Sequence, residues 1–319
     1  MENHERRRLD MGRLLFIVNP RAGKTQIKSR FLEIVDIFVK AGWEVEVHTT
    51  QAPLDAMKIA KKRGANVDMV VCSGGDGTLS ETISGMMYLE HAPVLGYIPS
   101  GSTNDFASSL KIPSQMLEAA ANVIGGEPYS VDIGQFCRER NFVYVAGFGM
   151  FTEVSYMTPQ EKKNLLGHQA YMLEGMKSLT NIKAYHMKLE SEELMLEGEF
   201  VFGMVTNTVS VGGFKGLVKK DVALNDGLFE VLMIRMPKTA LELKDILSSM
   251  ILKEEQSEYV YRFKTSKLKI ISEEPVDWVL DGEFGGARKE VEIENLNQRI
   301  QIVTKISSPQ VALNMEETS

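Results

Sequence analysis

Gly74-Gly75-Asp76-Gly77-Thr78-Leu79-Ser80 stands directly behind a largely apolar run, Val67 to Cys72, and its reading decides the fold. The apolar run predicts a buried strand, and the glycines predict a turn into a helix that begins near Thr78. Glycines let bare backbone N–H groups approach a polyphosphate, and a helix N-terminus adds favourable dipole charge. Asp76 cannot bind phosphate itself, so it is expected to handle Mg²⁺ or a proton. The plainer reading is a glycine turn that only joins strand to helix. The turn is not a dinucleotide fingerprint: counting from Gly75, the sixth position of G-x-G-x-x-G is Ser80. Gly23-Lys24-Thr25 ends like a P-loop, but the first glycine of that motif falls on Val18.

Outward from this turn the first part of the chain alternates in period. Leu14 to Val18 reads as a strand, and Phe31, Ile34, Val35, Phe38 and Val39 recur at helical spacing up to Gly42. Trp43 to His48 is the next strand and Leu54 to Arg63 a helix closed by Gly64. Thr78 to Met87 is a helix and Val94 to Ile98 a strand. Such alternation predicts a parallel sheet covered by helices, with ligand sites beyond the carboxyl ends of its strands. Four polar or glycine-rich loops lie at such ends: Asn19-Pro20-Arg21-Ala22-Gly23, Thr49-Thr50, the glycine turn, and Pro99-Ser100-Gly101-Ser102-Thr103-Asn104-Asp105. Their convergence on one edge is the expected geometry of a nucleotide crevice.

From about Val131 the texture changes to short strands: Phe142 to Ala146, Ala184 to Leu189, Glu197 to Val205, Phe229 to Ile234, Lys267 to Ile271 and Asp277 to Leu280. Helices are expected at Leu165 to Leu179 and Leu241 to Leu252, and the residues after Lys305 read as a loose tail. The 319 residues, 44% of them hydrophobic, suffice for about two domains. A formal net charge of -7 gives no bias toward nucleic acid. Two cysteines, Cys72 and Cys137, are too few for a disulfide framework and fit a reducing cytoplasm. Met1 to Asp10 is mostly polar, and Leu14 to Val18 is far too short for a signal core or a membrane span, so nothing is expected to cross a bilayer. Met11 is an alternative start. His4, His48, His91, His168 and His186 show no metal-ligand spacing and receive no chemistry.

The combination of Asn19-Pro20-Arg21-Ala22-Gly23, Gly74 to Thr78, Gly101-Ser102-Thr103-Asn104-Asp105-Phe106, Asn225-Asp226-Gly227 and Asp281-Gly282-Glu283 resembles the soluble diacylglycerol kinase-like lipid kinases of bacteria. Sphingosine and ceramide kinases share that catalytic domain. The resemblance runs from about Arg13 to Lys305, with the motifs in the family's order. It implies a Rossmann-like α/β domain (12–131, rejoined by a C-terminal segment at about 299–319), a β-sandwich-like lipid-substrate domain (132–298), and an active site in the cleft between them. The implied activity is Mg²⁺-dependent transfer of the ATP γ-phosphoryl group to a hydroxyl of diacylglycerol or a related lipid, in phospholipid metabolism.

Residue by residue, the resemblance assigns Gly74, Gly75, Gly77 and Thr78 to the ATP phosphates and counts Asp76, Leu79, Ser80 and Glu81 in the same nucleotide site. It places Asn19, Thr50, Ser102 and Asn104 around the nucleotide. A strand end explains Thr50 equally well, and a helix cap would explain the cluster at Ser102 to Asp105. Asp281 is the expected general base, although Asp281-Gly282 by itself reads as a hairpin turn. Asp226 and Glu283 with Asp76 resemble an acidic network around a structural Mg²⁺, joined by the backbone carbonyls of Ala223 and Leu228. Relatives usually carry a proline upstream, where this chain reads Gly216 to Asp221.

The implied partners are a lipid at the membrane surface, met by peripheral contact, and no nucleic acid; a homodimer is one candidate assembly. Met157, Met172 and Met176 beside Lys162 and Lys163 could face acyl chains and headgroups, or the methionines could fill a core. Gly147-Phe148-Gly149 and Gly212-Gly213 could open room for a lipid head or form turns. Two rivals stand beside the lipid kinase: an NAD kinase, whose Asn-Glu pair is absent here, and a non-catalytic nucleotide-gated lipid binder.

Overall fold

The computed structural model describes residues 12–23, 27–149, 183–208, 210–211, 214–215, 223–252 and 257–305. The segment with Met157, Lys162, Lys163, Met172 and Met176, the helix expected at Leu165 to Leu179, Gly212-Gly213, the loop 216–221 and the tail after Lys305 lie outside the described residues. The chain divides into two compact units, Met1–Val131 with Arg299–Ser319, and Asp132–Gln298.

The first unit is an α/β layer built on β1 (Arg13–Val18), α1 (Ile27–Lys40), β2 (Glu44–Thr49), α2 (Asp55–Arg63), β3 (Met69–Gly74), α3 (Asp76–Met86), β4 (Val94–Pro99), α4 (Asp105–Ser109) and α5 (Met116–Gly125). Its strands are parallel in the order β2-β1-β3-β4. Helices cover the sheet, α1 packing with α5 and α2 with α3. Both neighbours of β1 are therefore strands, and from Leu14 to Val18 every residue is buried, which is why this run is continuously apolar. The apolar stripe of α1 follows the helical repeat through Ile27, Ile34 and Phe38, and Phe16 meets Phe38 edge-on at 5.6 Å.

The C-terminal strand returns to this unit. Ile302 pairs in parallel with Leu95 of β4, Asn122 donates to the Val303 carbonyl at 3.4 Å, and Thr304 donates its hydroxyl to the Leu110 carbonyl. The return covers the edge of β4, which would otherwise present unpaired backbone.

The second unit is built on antiparallel strands: β5 (Glu127–Phe136, which enters from the first unit), β6 (Arg140–Phe142), β7 (Val145–Gly149), β8 (Tyr185–Glu190), β9 (Met195–Thr206), a two-residue ribbon of β10 (Ser210–Val211) and β11 (Phe214–Lys215), β12 (Phe229–Arg235), β13 (Val260–Thr265), β14 (Lys267–Leu280) and β15 (Glu283–Thr304), with α6 (Ala240–Leu252) before β13. Trp278, Phe136, Phe142, Phe148, Phe200 and Phe229 centre its core; the Trp278 ring lies 5.0 Å from Phe148 and 5.4 Å from Phe136.

Helix α5 and strands β5, β10, β11 and β13 were not anticipated, the strand expected at Phe142 to Ala146 falls across β6 and β7, and three further elements differ from the sequence expectation. Helix α3 starts at Asp76 rather than near Thr78, so the carboxylate joins the first helical turn. The two strands expected at Lys267 to Ile271 and Asp277 to Leu280 are one strand, β14, whose register shifts between Ile271 and Val276 around Pro275. Strand β15 was not anticipated, because its apolar residues Val291, Ile293, Ile300 and Ile302 are interrupted at Gln298, which takes a φ of 50° and breaks the alternation.

Candidate active site

Between β1 and β3 the chain's connections leave in opposite directions across the sheet, the switch point at which open α/β sheets bind ligands. The loops that follow these two strands are tied together there. The Asn19 amide N–H donates to the Ser73 carbonyl at 2.8 Å, and Asn19 Nδ2 donates to Thr78 Oγ1 at 3.0 Å. The Arg21 amide donates to Asn19 Oδ1 at 3.0 Å, so the side chain is held at both ends. Thr50 follows β2, and its N–H donates to the Val18 carbonyl at 2.9 Å.

The glycine turn and the loop after β4 interlock. The Ser100 amide donates to the Gly74 carbonyl at 2.8 Å, and a Cβ on Gly75 would stand 3.2 Å from the Gly101 Cα. Each backbone thus packs on the other where a side chain would sit, so both positions call for glycine. Asn104, at a φ of 54°, receives the Gly101 amide at 3.0 Å and donates back to the Gly101 carbonyl at 2.9 Å. Asp76 accepts the Asp105 and Phe106 amides at 3.2 and 3.4 Å, which fastens the first turn of α3 to the start of α4. Tyr97, which sequence reasoning did not single out, lies beneath: its hydroxyl reaches the Gly74 carbonyl at 3.2 Å and Asn104 Oδ1 at 3.4 Å, and burial holds it well above the ordinary tyrosine pKa. Its only sequence signal was a polar tip in an otherwise apolar strand.

The first intrahelical bond of α3 runs from the Leu79 amide to the Gly75 carbonyl at 3.1 Å. The N–H groups of Asp76, Gly77 and Thr78 therefore have no intrahelical acceptor, and they are the donors a phosphate would use. The other expected members are placed differently. Leu79 is buried in the core, so only its backbone belongs to the turn, and Glu81 accepts the Leu54 amide at 2.8 Å ahead of α2. Ser80 is half-buried on α3, and Ser102 is exposed on the loop after β4.

In the second unit, Asp281 and Gly282 form the two-residue turn between β14 and β15, with φ of 49° and 87°. Positive φ at both central residues is the primed hairpin geometry. The Asp281 side chain is only 5% exposed as a residue and accepts three consecutive amides: Val143 at 2.7 Å on Oδ2, Tyr144 at 3.0 Å and Val145 at 3.1 Å on Oδ1. At least three of its roughly four acceptor positions are thus taken by backbone. A carboxylate so engaged anchors the turn. Glu283, at the head of β15, is exposed instead.

Asp226 is held on both of its oxygens. Its Oδ1 accepts the Leu228 amide at 3.1 Å, and its Oδ2 receives Lys264 Nζ at 3.2 Å. Ala223 and Leu228 are half-buried on either side of the turn. Among the described residues no three His, Cys, Asp or Glu side chains gather to hold an ion. Fully buried Asp132, absent from the sequence reading, organises this turn by accepting the Gly227 amide at 2.7 Å and the Gln298 amide at 2.7 Å. Burial pushes its pKa up, opposed by those two amides.

Residues 13–136, the stretch that carries all four of the loops at the strand ends, match the model of the diacylglycerol kinase catalytic domain. A diacylglycerol kinase of Bacillus subtilis (strain 168) is 35% identical over 297 residues, covering 92% of this chain and 96% of that protein. The chain belongs to the diacylglycerol kinase family. As a member of that family it is a kinase. Another relative, the diacylglycerol kinase of Staphylococcus carnosus (strain TM300), is 33% identical over 92% of this chain and 95% of its own. A solved structure of a Bacillus anthracis protein proposed to be a diacylglycerol kinase superposes with a TM-score of 0.79 at 26% identity, covering 94% of this chain and 96% of that one. Among the described residues no helix is long and apolar enough to cross a membrane.

Proposed function

We propose that this family member transfers the γ-phosphoryl group of ATP to a hydroxyl of diacylglycerol or a related lipid, in a Mg²⁺-dependent reaction at the cytoplasmic surface of a membrane. The observation that carries the reading is the interlocked pair of loops after β3 and β4, beside the β1/β3 switch point, where α3 presents the Asp76, Gly77 and Thr78 amides. Phosphoryl transfer through a loose transition state needs mostly positioning and charge neutralisation, which amides aimed by rigid loops supply. Asn19 keeps Thr78 in place and Asp76 keeps the two loops together. Mg²⁺ brought in with ATP suits hard oxygen donors such as the Asp76 carboxylate and would offset phosphate charge.

The second unit supplies the proton acceptor from its Asp281-Gly282-Glu283 turn. Exposed Glu283 takes the lipid hydroxyl's proton late in the reaction, while Asp281 holds the hairpin that presents it. Strands β9 and β14 each pair with β8 through one half and with β7 through the other, which supports reading this unit as a β-sandwich-like pair of layers. Peripheral contact with the membrane follows from a lipid substrate.

The test is incubation of the purified chain with labelled ATP, Mg²⁺ and mixed micelles of diacylglycerol, phosphatidylglycerol, monoacylglycerol or long-chain bases, with NAD as a control acceptor. Label entering a lipid fraction supports the reading. Label entering NAD alone, or no transfer by a protein that binds ATP, overturns it.

A further inference from the structure

In the second unit, β12 and β13 set Glu230 and Lys264 directly opposite each other as register partners. Lys264 Nζ lies 2.9 Å from Glu230 Oε1 and 3.2 Å from Asp226 Oδ2, so one ammonium bridges two carboxylates. The Glu230 side chain is 11% exposed, and its Oε2 is buried without a hydrogen-bond partner, which leaves the Lys264 contact to compensate its charge. Two carbonyls between the expected ligands Ala223 and Leu228 serve the protein: Leu224 accepts the Asp132 amide at 2.8 Å, and Asn225 accepts Gln298 Nε2 at 3.3 Å.

A magnesium ion demands near-octahedral oxygen ligation at about 2.1 Å. Asp226 already holds an amide on one oxygen and an ammonium on the other, and a dication beside that ammonium would be repelled by it. We infer that Lys264 supplies the positive charge at the Asn225-Asp226-Gly227 turn, so that the second unit of this chain is stabilised by an internal ammonium rather than by a bound divalent cation. Such a turn keeps its shape without a metal. The inference concerns stability alone and is independent of which lipid, if any, the chain phosphorylates.

The experiment uses nucleotide-free full-length protein, dialysed against chelator, with metal content by elemental analysis and thermal unfolding with and without millimolar MgCl₂. Wild type is expected to retain less than about 0.1 equivalent of Mg²⁺ and to melt within about 1 °C in the two conditions, since an ion that does not bind the folded state cannot shift its stability. Lys264→Met should melt about 4–8 °C lower, the scale for removing one partner of a partly buried pair in a unit of this size. Adding Glu230→Gln to Lys264→Met should recover much of that loss. About one retained Mg²⁺ in wild type, or a Mg²⁺-dependent rise in its melting temperature that Asp226→Asn abolishes, would overturn the inference. The wild-type measurements decide it even if Lys264→Met does not fold.

Discussion

Replacing Asp281 by Asn tests whether this carboxylate is an anchor or a base. Asparagine is nearly isosteric and tolerates the φ of 49° at this position, so the backbone of the turn can remain as it is. Its oxygen can still accept the Tyr144 and Val145 amides, but as a neutral acceptor. Its NH₂ group must then face the Val143 amide, which now donates to Oδ2 at 2.7 Å, and two donors oppose each other. A hydrogen bond to a charged group contributes about 1.5–3 kcal/mol, and a buried donor left unpaired costs about 1–3 kcal/mol. Asp281 is almost fully buried, so solvent offsets little of this, and about 3 kcal/mol is expected. In a unit of this size that lowers the melting temperature by about 6–12 °C. Glu283→Gln, at an exposed site, should leave melting within about 1 °C while turnover falls by about 100-fold or more, the scale for losing a proton acceptor. Both variants are to be melted and assayed for phosphotransfer well below the transition. If Asp281→Asn melts like wild type yet has lost transfer, while Glu283→Gln turns over normally, the assignment is refuted and Asp281 is the base.

Two further expectations follow from the first unit. Gly101→Ala pushes a methyl group against the Gly75 backbone, so the glycine turn must move; the KM for ATP should rise by about 10-fold or more, read by initial rates over an ATP series, and an unchanged KM would dissociate the loop pair from nucleotide binding. The Asp55 carboxyl is held below its usual 3.8, first by the Gln51 amide, with His48 adding to the effect. An acid with a depressed folded pKa stabilises above its unfolded value and loses that contribution as the pH falls through the folded one. Asp55→Asn should therefore cost about 0.5–1 kcal/mol at pH 7 by urea unfolding, a gap that closes once the pH drops below the lowered value.

Much of the first unit was legible in the chain itself. The run from Leu14 to Val18 is apolar at every position because β1 is covered on both faces and paired on both sides, a state that only continuous apolar sequence satisfies. Glycines at 75 and 101 carry their reason in their type, since two backbones in contact exclude any side chain, and a Cβ on Gly74 would run into the Thr78 side chain. The Asp281-Gly282 pair likewise announced a primed hairpin, which formed.

What tertiary structure alone decided is where the carboxylates spend their lone pairs. Asp281 and Asp226 sit in turn motifs that read as chemistry, yet their partners are amides at 143–145 and an ammonium at 264, far away in sequence. No local pattern encodes such pairings, because a carboxylate's role is set by which donors the fold carries to it. Tyr97 and Asp132 went unread for the same reason: each is a polar group inside a strand, and its meaning exists only once Gly74, Asn104, Gly227 and Gln298 have been brought within hydrogen-bonding reach.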